Sequence, residues 1–354
     1  MVGQQSIARA ASDGNTAGAA RKAGYGRGVE ASPRFVQIEP VGECNLRCRM
    51  CPVRYREARG AFMPWETYAA LVDALPALTE MHLQGLGEPL LHPRFFDMVS
   101  YAAGRGVRVS VNTNLTLLTP AKAERIVTCG LGWIYVSADG ATPATYERIR
   151  VDASWEKFSR NVVRLMAAIE RHGGPEVTLT AVAMRDNLDE LAGLVERAAE
   201  WGIRTLNVQH LCHDFGESTL PARYAPMRAF VAEQTLLAED PARVAHAFAA
   251  ARDAAAQHGV ALRLPRVVPV AHAPGTPGRA RCDWPWRGPY VAYDGTAMPC
   301  CMIATPDRGA LGNVRDAGVE AVWNGAAYAD FRRRLDSDDP PEVCRSCSVY
   351  ARVF

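Results

Sequence analysis

Three closely spaced cysteines, Cys44, Cys48 and Cys51, are the residues of this sequence best suited to chemistry. Their spacing is Cys-x3-Cys-x2-Cys, directly after a predicted strand. Three thiolates on one loop can hold a four-iron cluster and leave one iron without a protein ligand. That open iron can chelate an amine and a carboxylate of a bound ligand. The alternative is a zinc loop, but zinc needs a fourth nearby ligand and commonly uses paired CxxC spacing.

A second set of cysteines lies near the C-terminus, with the spacing Cys282-x17-Cys300-x43-Cys344-x2-Cys347. Four thiolates are enough to close every iron of a second four-iron cluster, which would carry electrons. A structural zinc ribbon would satisfy the same spacing. Cys301 is left over beside Cys300, so either of these two neighbours can be the ligand.

Six short strands alternate with helical stretches and position these cysteines. Such alternation predicts an α/β fold in which right-handed crossovers join parallel strands, as an open sheet or a partial barrel. In these folds the site forms at the carboxyl ends of the strands. The predicted strands are FVQIEP, EMHLQG, VRVSVNT, WIYVSA, EVTLTAVAM and RTLNVQHL.

The composition along the chain predicts three parts. Residues 1–33 are rich in Ala, Gly, Ser and Arg without periodicity and form a flexible or capping segment. Residues 34–260 hold the repeating units, and 226–258 read as helical with a break near Asp240-Pro241. Residues 261–354 form a small cysteine-rich domain. It contains a hairpin with Asp294-Gly295 at its turn and an amphipathic helix near 319–335.

The overall composition excludes several classes of protein. No apolar run is long enough to cross a bilayer, and no secretory signal opens the chain, so we expect a cytoplasmic protein without a membrane partner. The net charge of +2 comes from 40 basic and 38 acidic residues without obvious runs, which disfavours nucleic acid as a partner. In a reducing compartment, clustered cysteines usually bind metal or do chemistry.

The segment CNLRCRMC resembles the signature of the radical S-adenosylmethionine (radical SAM) superfamily, with Met50 in its hydrophobic place. Residues Gln84 to Pro89 resemble the family's glycine-glycine-glutamate segment. This resemblance implies that Gly87 and Glu88 bind the methionine end of S-adenosylmethionine. It covers about residues 35–215 and implies a partial (β/α)6 TIM barrel.

Two further strand ends match places where this family contacts its cofactor. Asn114 ends the third strand and Ser137 ends the fourth, which the resemblance assigns to ribose and carboxylate contacts. The family often has glycine after this asparagine, whereas this chain has Leu115.

The C-terminal cysteines resemble the Twitch domain, a shortened form of the SPASM domain. The resemblance rests on Gly295-x4-Cys300 and the downstream CxxC. It implies one auxiliary [4Fe-4S] cluster bound by Cys282, Cys300, Cys344 and Cys347, where Cys300 is preferred over Cys301 because it fits the glycine spacing.

The resemblance also implies a reaction. A donor such as flavodoxin or ferredoxin reduces the first [4Fe-4S] cluster, and cleavage of S-adenosylmethionine gives a 5′-deoxyadenosyl radical that abstracts hydrogen from a substrate carbon. The cysteine spacing is similar to that of aminoglycoside-biosynthesis dehydrogenases and epimerases, including the butirosin 2-deoxy-scyllo-inosamine dehydrogenase. We therefore expect a small-molecule substrate, a carbohydrate or aminocyclitol of natural-product biosynthesis.

Two alternatives belong to other classes. One is a SPASM-type maturase of a ribosomal peptide, although residues 1–33 are too short and irregular to build a leader-binding domain. The other is a zinc-stabilised binding protein without enzymatic activity.

Candidate catalytic residues lie near the end of strand six and just before the C-terminal cysteines. Cys212 is a candidate hydrogen donor, with a small buried apolar cysteine as the alternative. His210 and His213 flank it and can orient a hydroxyl or simply be ordinary histidines. Arg266, with Arg263, is a candidate to assist loss of a hydroxyl proton from the substrate. The alternative is that each is an ordinary solvated arginine at a strand end.

Overall fold

The structure is a computed structural model that describes residues 31–56, 61–211, 221–268, 282–303, 305–345 and 347–351. Residues 31–354 form one compact unit. Most of the predicted segment 1–33, together with Cys212 and His213, lies outside the described residues.

A single mixed sheet of nine strands organises this unit, in the order β7-β6-β5-β4-β3-β2-β1-β8-β9. The strands are β1 (Phe35–Ile38), β2 (Glu80–His82), β3 (Arg108–Thr113), β4 (Leu131–Ser137), β5 (Glu176–Ala183), β6 (Thr205–His210), β7 (Ala261–Arg263), β8 (Tyr290–Val291) and β9 (Ala297–Met298).

Strands β1 to β7 are all parallel and adjacent in chain order. The predicted α/β fold with parallel strands is therefore confirmed, and all six predicted strands are present. The additional strand β7 has only three residues and so gives no alternating pattern that the sequence could reveal. Among the described residues no ladder joins β7 to β9, so the barrel is partial rather than closed.

Helices connect the parallel strands and cover one face of the sheet. They are α1 (Trp65–Asp73), α2 (Phe95–Ala103), α3 (Pro120–Thr128), α4 (Pro143–Ile149), α5 (Trp155–His172), α6 (Leu191–Glu200), α7 (Ala225–Gln234) and α8 (Pro241–His258), followed in the C-terminal part by α9 (Trp284–Arg287), α10 (Pro306–Gly309), α11 (Val314–Ala317), α12 (Val319–Trp323), α13 (Ala326–Asp336), α14 (Glu342–Arg345) and α15 (Ser348–Ala351). Within the described ranges, no helix is both long and apolar enough to cross a membrane.

Local sequence signals fix where several of these helices begin. Thr119 and Thr142 accept backbone hydrogen bonds at the starts of α3 and α4, and proline occupies the first helical turn of both. Ser154 caps α5 in the same way. A side-chain oxygen at this position satisfies a backbone N–H that the helix leaves unpaired.

The two faces of the sheet differ in polarity. In β3, Val109 and Val111 are buried in the main hydrophobic core, whereas Ser110 and Asn112 on the opposite face are half-buried. Such alternation is expected when helices cover one face and the other lines a polar interior. The polar inner face leads to the strand ends where the predicted site lies.

Two helical predictions have different outcomes. The break near Asp240-Pro241 is confirmed, since α8 begins at Pro241. The single amphipathic helix predicted near 319–335 is wrong, because α12 and α13 are separate. The Asn324 amide donates 2.9 Å hydrogen bonds to the carbonyls of Glu320 and Ala31, which ends α12 there.

The sheet extends from the barrel strands into the C-terminal part. Strand β8 is parallel to β1, and the Gln37 and Glu39 amides donate to Pro289 and Val291 carbonyls at 3.0 and 2.8 Å. Strands β8 and β9 form the predicted hairpin. Since both β7 and β8 belong to the barrel sheet, a boundary at residue 260 stays a prediction.

We expect Gly288→Ala to weaken the attachment of β8 to β1. A Cβ at Gly288 would overlap the Phe35 carbonyl, and overpacking of this kind costs about 1–3 kcal/mol. Gly132→Ala is the matched control, since its Cβ would meet nothing closer than 3.4 Å. Thermal unfolding should show a clear fall in the midpoint for Gly288→Ala alone. Equal midpoints for the two variants would contradict this role.

Candidate active site

Backbone hydrogen bonds hold the loop of residues 44–51 against the end of α4. The Arg47 amide donates to the Val151 carbonyl at 2.9 Å, and the Arg49 amide donates to the Ile149 carbonyl at 3.2 Å. The cysteine loop is therefore anchored on the far side of the partial barrel as well as at β1.

The three thiols of this loop are half-buried and lie close together. Burial is the main cause that raises the pKa of Cys44 and Cys51 to about 12, with a contribution from Glu88 at Cys44 and from Cys48 at Cys51. Thiolates at this place therefore need a positive charge or a metal to form. The soft sulfur donors fit an iron–sulfur cluster.

Within the part of the chain that the structure describes, no three Cys, His, Asp or Glu side chains converge tightly enough to bind one metal ion. A four-iron cluster is a larger body, and its thiolate ligands surround it at wider spacing than the four ligands of zinc.

Two buried arginines flank the loop, each paired with a buried carboxylate. Arg56 lies 3.0 Å from Glu39, and Arg150 lies 2.8 Å from Asp139. Arg150 opposes the burial-induced rise in the pKa of Cys48, and Arg56 does so at Cys51. No motif indicates these arginines. Their partners lie just after parallel strands: Glu39 directly follows β1, and Asp139 is two residues beyond β4. This position at a strand end is the only feature of the sequence that could have indicated the two ion pairs.

Glu88 is buried and organises the ends of two strands. Its carboxylate accepts hydrogen bonds from the Thr113 hydroxyl at 2.6 Å and from the backbone amides of Asn114 and Leu90 at 2.8 and 3.1 Å. Burial raises the pKa of this carboxyl group. Its assignment to the methionine amine stays a prediction, and the structure adds a second task for it.

Gly87 lies against the backbone that leads into the cysteine loop. A Cβ there would overlap the Val41 carbonyl and lie 2.6 Å from the Glu43 carbonyl. The Glu88 amide also donates to the Glu43 carbonyl at 2.9 Å. Glycine at this position thus lets the loop after β2 approach the segment that leads into the cysteine loop.

Asn114 contacts the first cysteine directly. Its side-chain amide nitrogen donates to Cys44 Sγ at 3.6 Å and to the Asn45 side chain at 3.1 Å. Its side-chain oxygen accepts from the Thr116 hydroxyl at 2.6 Å. The following Leu115 has a φ of +59°, a conformation that favours glycine. The chain therefore keeps the backbone shape expected where the family often has glycine.

Met50 and Ser137 are the two remaining predicted contacts with the cofactor. Met50 is half-buried and packs against a cluster that includes Ile149 and Met184. Ser137 is half-buried at the last position of β4, paired in register with Thr180. Their contacts with S-adenosylmethionine stay predictions.

A polar network on the inner face adds residues that no motif indicates. His82 bonds to the Ser110 hydroxyl at 2.8 Å and to Gln84 at 3.1 Å, and Gln37 donates to the Gln84 carbonyl at 2.9 Å. Burial lowers the pKa of His82 to about 4, so this imidazole is neutral at physiological pH. It orients the strand-two loop, residues 83–88 after β2, without adding charge.

The four C-terminal thiols of the predicted second set occupy one hydrophobic cluster. Cys344 and Cys347 are buried in it, and Cys282 and Cys300 pack against it. Burial is the largest cause of the raised pKa of Cys344, and the three neighbouring thiols contribute to the same rise. These residues fit a fully ligated cluster, and their roles as ligands stay predictions.

Cys301 belongs to the same group of thiols. Burial raises its pKa, followed by the proximity of Cys300, Cys282 and Cys347. The proximity of Cys301 also raises the pKa of Tyr290, the first residue of β8. Cys301 therefore lies near β8 as well as near the other thiols.

The candidate catalytic residues are only partly described. Cys212 and His213 lie outside the described residues. His210 is buried, and its Nε2 donates to the Arg266 carbonyl at 2.8 Å, which gives it a structural task. The side chains of Arg266 and Arg263 are exposed.

Two family models match the chain over the regions that carry the thiols. Residues 38–198 match the radical SAM superfamily, and residues 282–348 match an iron–sulfur cluster-binding domain, SPASM. The chain therefore combines a radical SAM domain with a SPASM domain. It is therefore an enzyme, and a zinc-stabilised binding protein is not supported. The two domains imply S-adenosylmethionine and [4Fe-4S] clusters as cofactors of this radical SAM enzyme.

A curated relative shares most of this architecture. The PqqA peptide cyclase of Ruegeria pomeroyi is 28% identical over 322 residues, covering 89% of this chain and 80% of the relative.

Solved structures also resemble the fold. Streptococcus suis SuiB bound to precursor peptide SuiA has a TM-score of 0.65 at 13% identity, covering 92% of this chain and 71% of that chain. BtrN in complex with AdoMet and 2-DOIA has a TM-score of 0.52 at 15% identity, covering 89% and 92%. At these identities the likeness shows the fold alone.

Iron content tests the assignment of the thiols. Two four-iron clusters predict about eight irons per chain, and Cys300→Ser should reduce this to about four. Cys301→Ser, at the adjacent position, is the matched control and should keep about eight. Iron and sulfide analysis after anaerobic reconstitution measures both variants. The reverse result would make Cys301 the ligand.

Proposed function

We propose that this radical SAM enzyme oxidatively modifies a peptide substrate. The observation that carries the proposal is the similarity to the PqqA peptide cyclase, which covers 89% of this chain and 80% of the relative. A carbohydrate substrate, expected from the cysteine spacing, has less support. The solved structure on that side, BtrN with AdoMet and 2-DOIA, is similar to this chain only in fold.

In this proposal the residues of the first loop prepare the radical step. Cys44, Cys48 and Cys51 hold the first cluster, while Asn114 fixes the Cys44 thiolate through its amide. Glu88 holds the strand-three end that carries Asn114. When bound, the cluster and S-adenosylmethionine supply the carbon radical that removes hydrogen from the substrate.

The remaining predicted contacts define the pocket for S-adenosylmethionine. Gly87, with Glu88, presents the strand-two loop to the methionine end of the ligand. Met50 and Ser137 are both half-buried, and a half-buried side chain can contact a ligand and exclude water.

The second set of cysteines suits removal of an electron from the substrate radical. Four thiolates complete the ligation of every iron, so such a cluster exchanges electrons without binding the substrate. Oxidation of a peptide then removes two hydrogen atoms in total: one is abstracted, and the other leaves as a proton and an electron. An external reductant of the flavodoxin or ferredoxin class remains part of the proposal.

Mass spectrometry tests the substrate class. The anaerobically reconstituted enzyme, with S-adenosylmethionine and dithionite, should convert a short peptide encoded beside its gene to a product lacking two hydrogens. It should form 5′-deoxyadenosine in equal amount. A scyllo-inosamine substrate is the small-molecule comparison. Oxidation of the aminocyclitol but of no neighbouring peptide would contradict the proposal.

Solvent deuterium distinguishes oxidation from epimerisation. Oxidation should place no solvent deuterium at the reacting carbon, and Cys212→Ala should leave the product unchanged. Repair of the radical by an exchangeable thiol would instead add one deuterium, and loss of that label in Cys212→Ala would identify Cys212 as the donor.

A further inference from the structure

A buried ion pair links the cysteine loop to the end of β1. The Arg56 guanidinium lies 3.0 and 3.3 Å from the two carboxylate oxygens of Glu39, and it donates to the Gly42 carbonyl at 3.3 Å. Their side chains are 7% and 0% exposed. Burial raises the pKa of Glu39, and the charge of Arg56, which stays protonated in proteins, opposes that rise.

Tyr290 continues this contact into the C-terminal part. It is paired in register with Gln37 on β1, and its buried hydroxyl lies beside the Glu39 side chain. Gly85 is packed between them, because a Cβ there would overlap both Glu39 and Tyr290. The contact is therefore fixed by the sheet and by the strand-two loop.

The two ends of this chain of contacts reach the two sets of thiols. The Arg56 guanidinium donates to the Gly42 carbonyl, on the segment that leads into the cysteine loop. At the other end, Tyr290 lies in the hydrophobic cluster that contains the C-terminal thiols. No role in binding iron or S-adenosylmethionine is assigned to Glu39, Arg56 or Tyr290.

We propose that Glu39, Arg56 and Tyr290 form a connector that positions the cysteine loop and couples the redox properties of the first cluster to the C-terminal part. Arg56 supplies positive charge beside the cysteine loop, Glu39 balances that charge, and the Tyr290 hydroxyl lies beside the Glu39 side chain. The connector does not depend on the substrate class, so peptide modification and this proposal stand or fall separately.

Electrostatics gives each substitution a sign. Reduction adds negative charge to the first cluster, so loss of the Glu39 charge favours reduction and loss of the Arg56 charge opposes it. Glu39→Gln should raise the midpoint potential of the first cluster, and Arg56→Gln should lower it. The double variant should lie closer to the wild type than either single variant, because the partners compensate one another.

Tyr290→Phe tests whether the connector reaches the C-terminal part. A hydroxyl dipole beside a carboxylate compensates part of its charge, so without it the potential of the first cluster should fall, in the direction of Arg56→Gln. Tyr328→Phe is the matched control, because its buried hydroxyl donates to the Met298 carbonyl at 2.6 Å, away from Glu39. Tyr328→Phe should leave the first cluster at the wild-type potential.

The potentials are measured in the reconstituted holoenzyme by EPR-monitored redox titration without substrate, after iron analysis has established full loading. Arg56→Lys keeps the charge and should return the potential toward the wild type. Three results would each overturn the connector: an unchanged potential in Tyr290→Phe, equal shifts in Arg56→Lys and Arg56→Gln, or a double variant farther from wild type than both singles.

Discussion

Buried positive charge beside the first three thiols is the interaction on which the rest of the structure depends. Desolvation raises the pKa of these thiols, yet only thiolates bind iron. Arg150 and Arg56 oppose this rise at Cys48 and Cys51. A guanidinium buried among thiols is itself costly to desolvate, so each arginine needs an anion nearby. The site therefore requires two buried ion pairs before any cofactor is bound.

Asp139 and Glu39 provide these anions, and their places in the chain explain the architecture around the loop. Each lies just beyond a parallel strand, and parallel strands bring their carboxyl ends to one edge of the sheet. Backbone hydrogen bonds of the sheet fix the two carboxylates, and the carboxylates then fix the loop arginines. Because Arg150 follows α4 and Arg56 follows the cysteines, the two ion pairs hold the loop from both sides.

The sequence predicts the parts of this site that depend on spacing. Alternating strands and helices predict the sheet edge, and the cysteine spacing predicts which thiols lie together. Spacing does not predict the arginine partners, because arginines are common on surfaces and a buried one has no local signature. It also does not reveal that Glu88 accepts three protein hydrogen bonds. Such contacts depend on strand register and rotamers, as at Thr113, which lies 25 positions away in the chain.

The attachment of β8 to β1 has a consequence for electron exchange between the two sets of thiols. Parts of a chain that meet only through side chains usually move relative to one another. Here backbone hydrogen bonds at Gln37 and Glu39 join the C-terminal hairpin to the first barrel strand, directly before the cysteine loop. The distance between the two sets is thereby set by the sheet itself. Glu39 serves both the ladder and the charge balance at Arg56, so one residue links the geometry of the sheet to the electrostatics of the site.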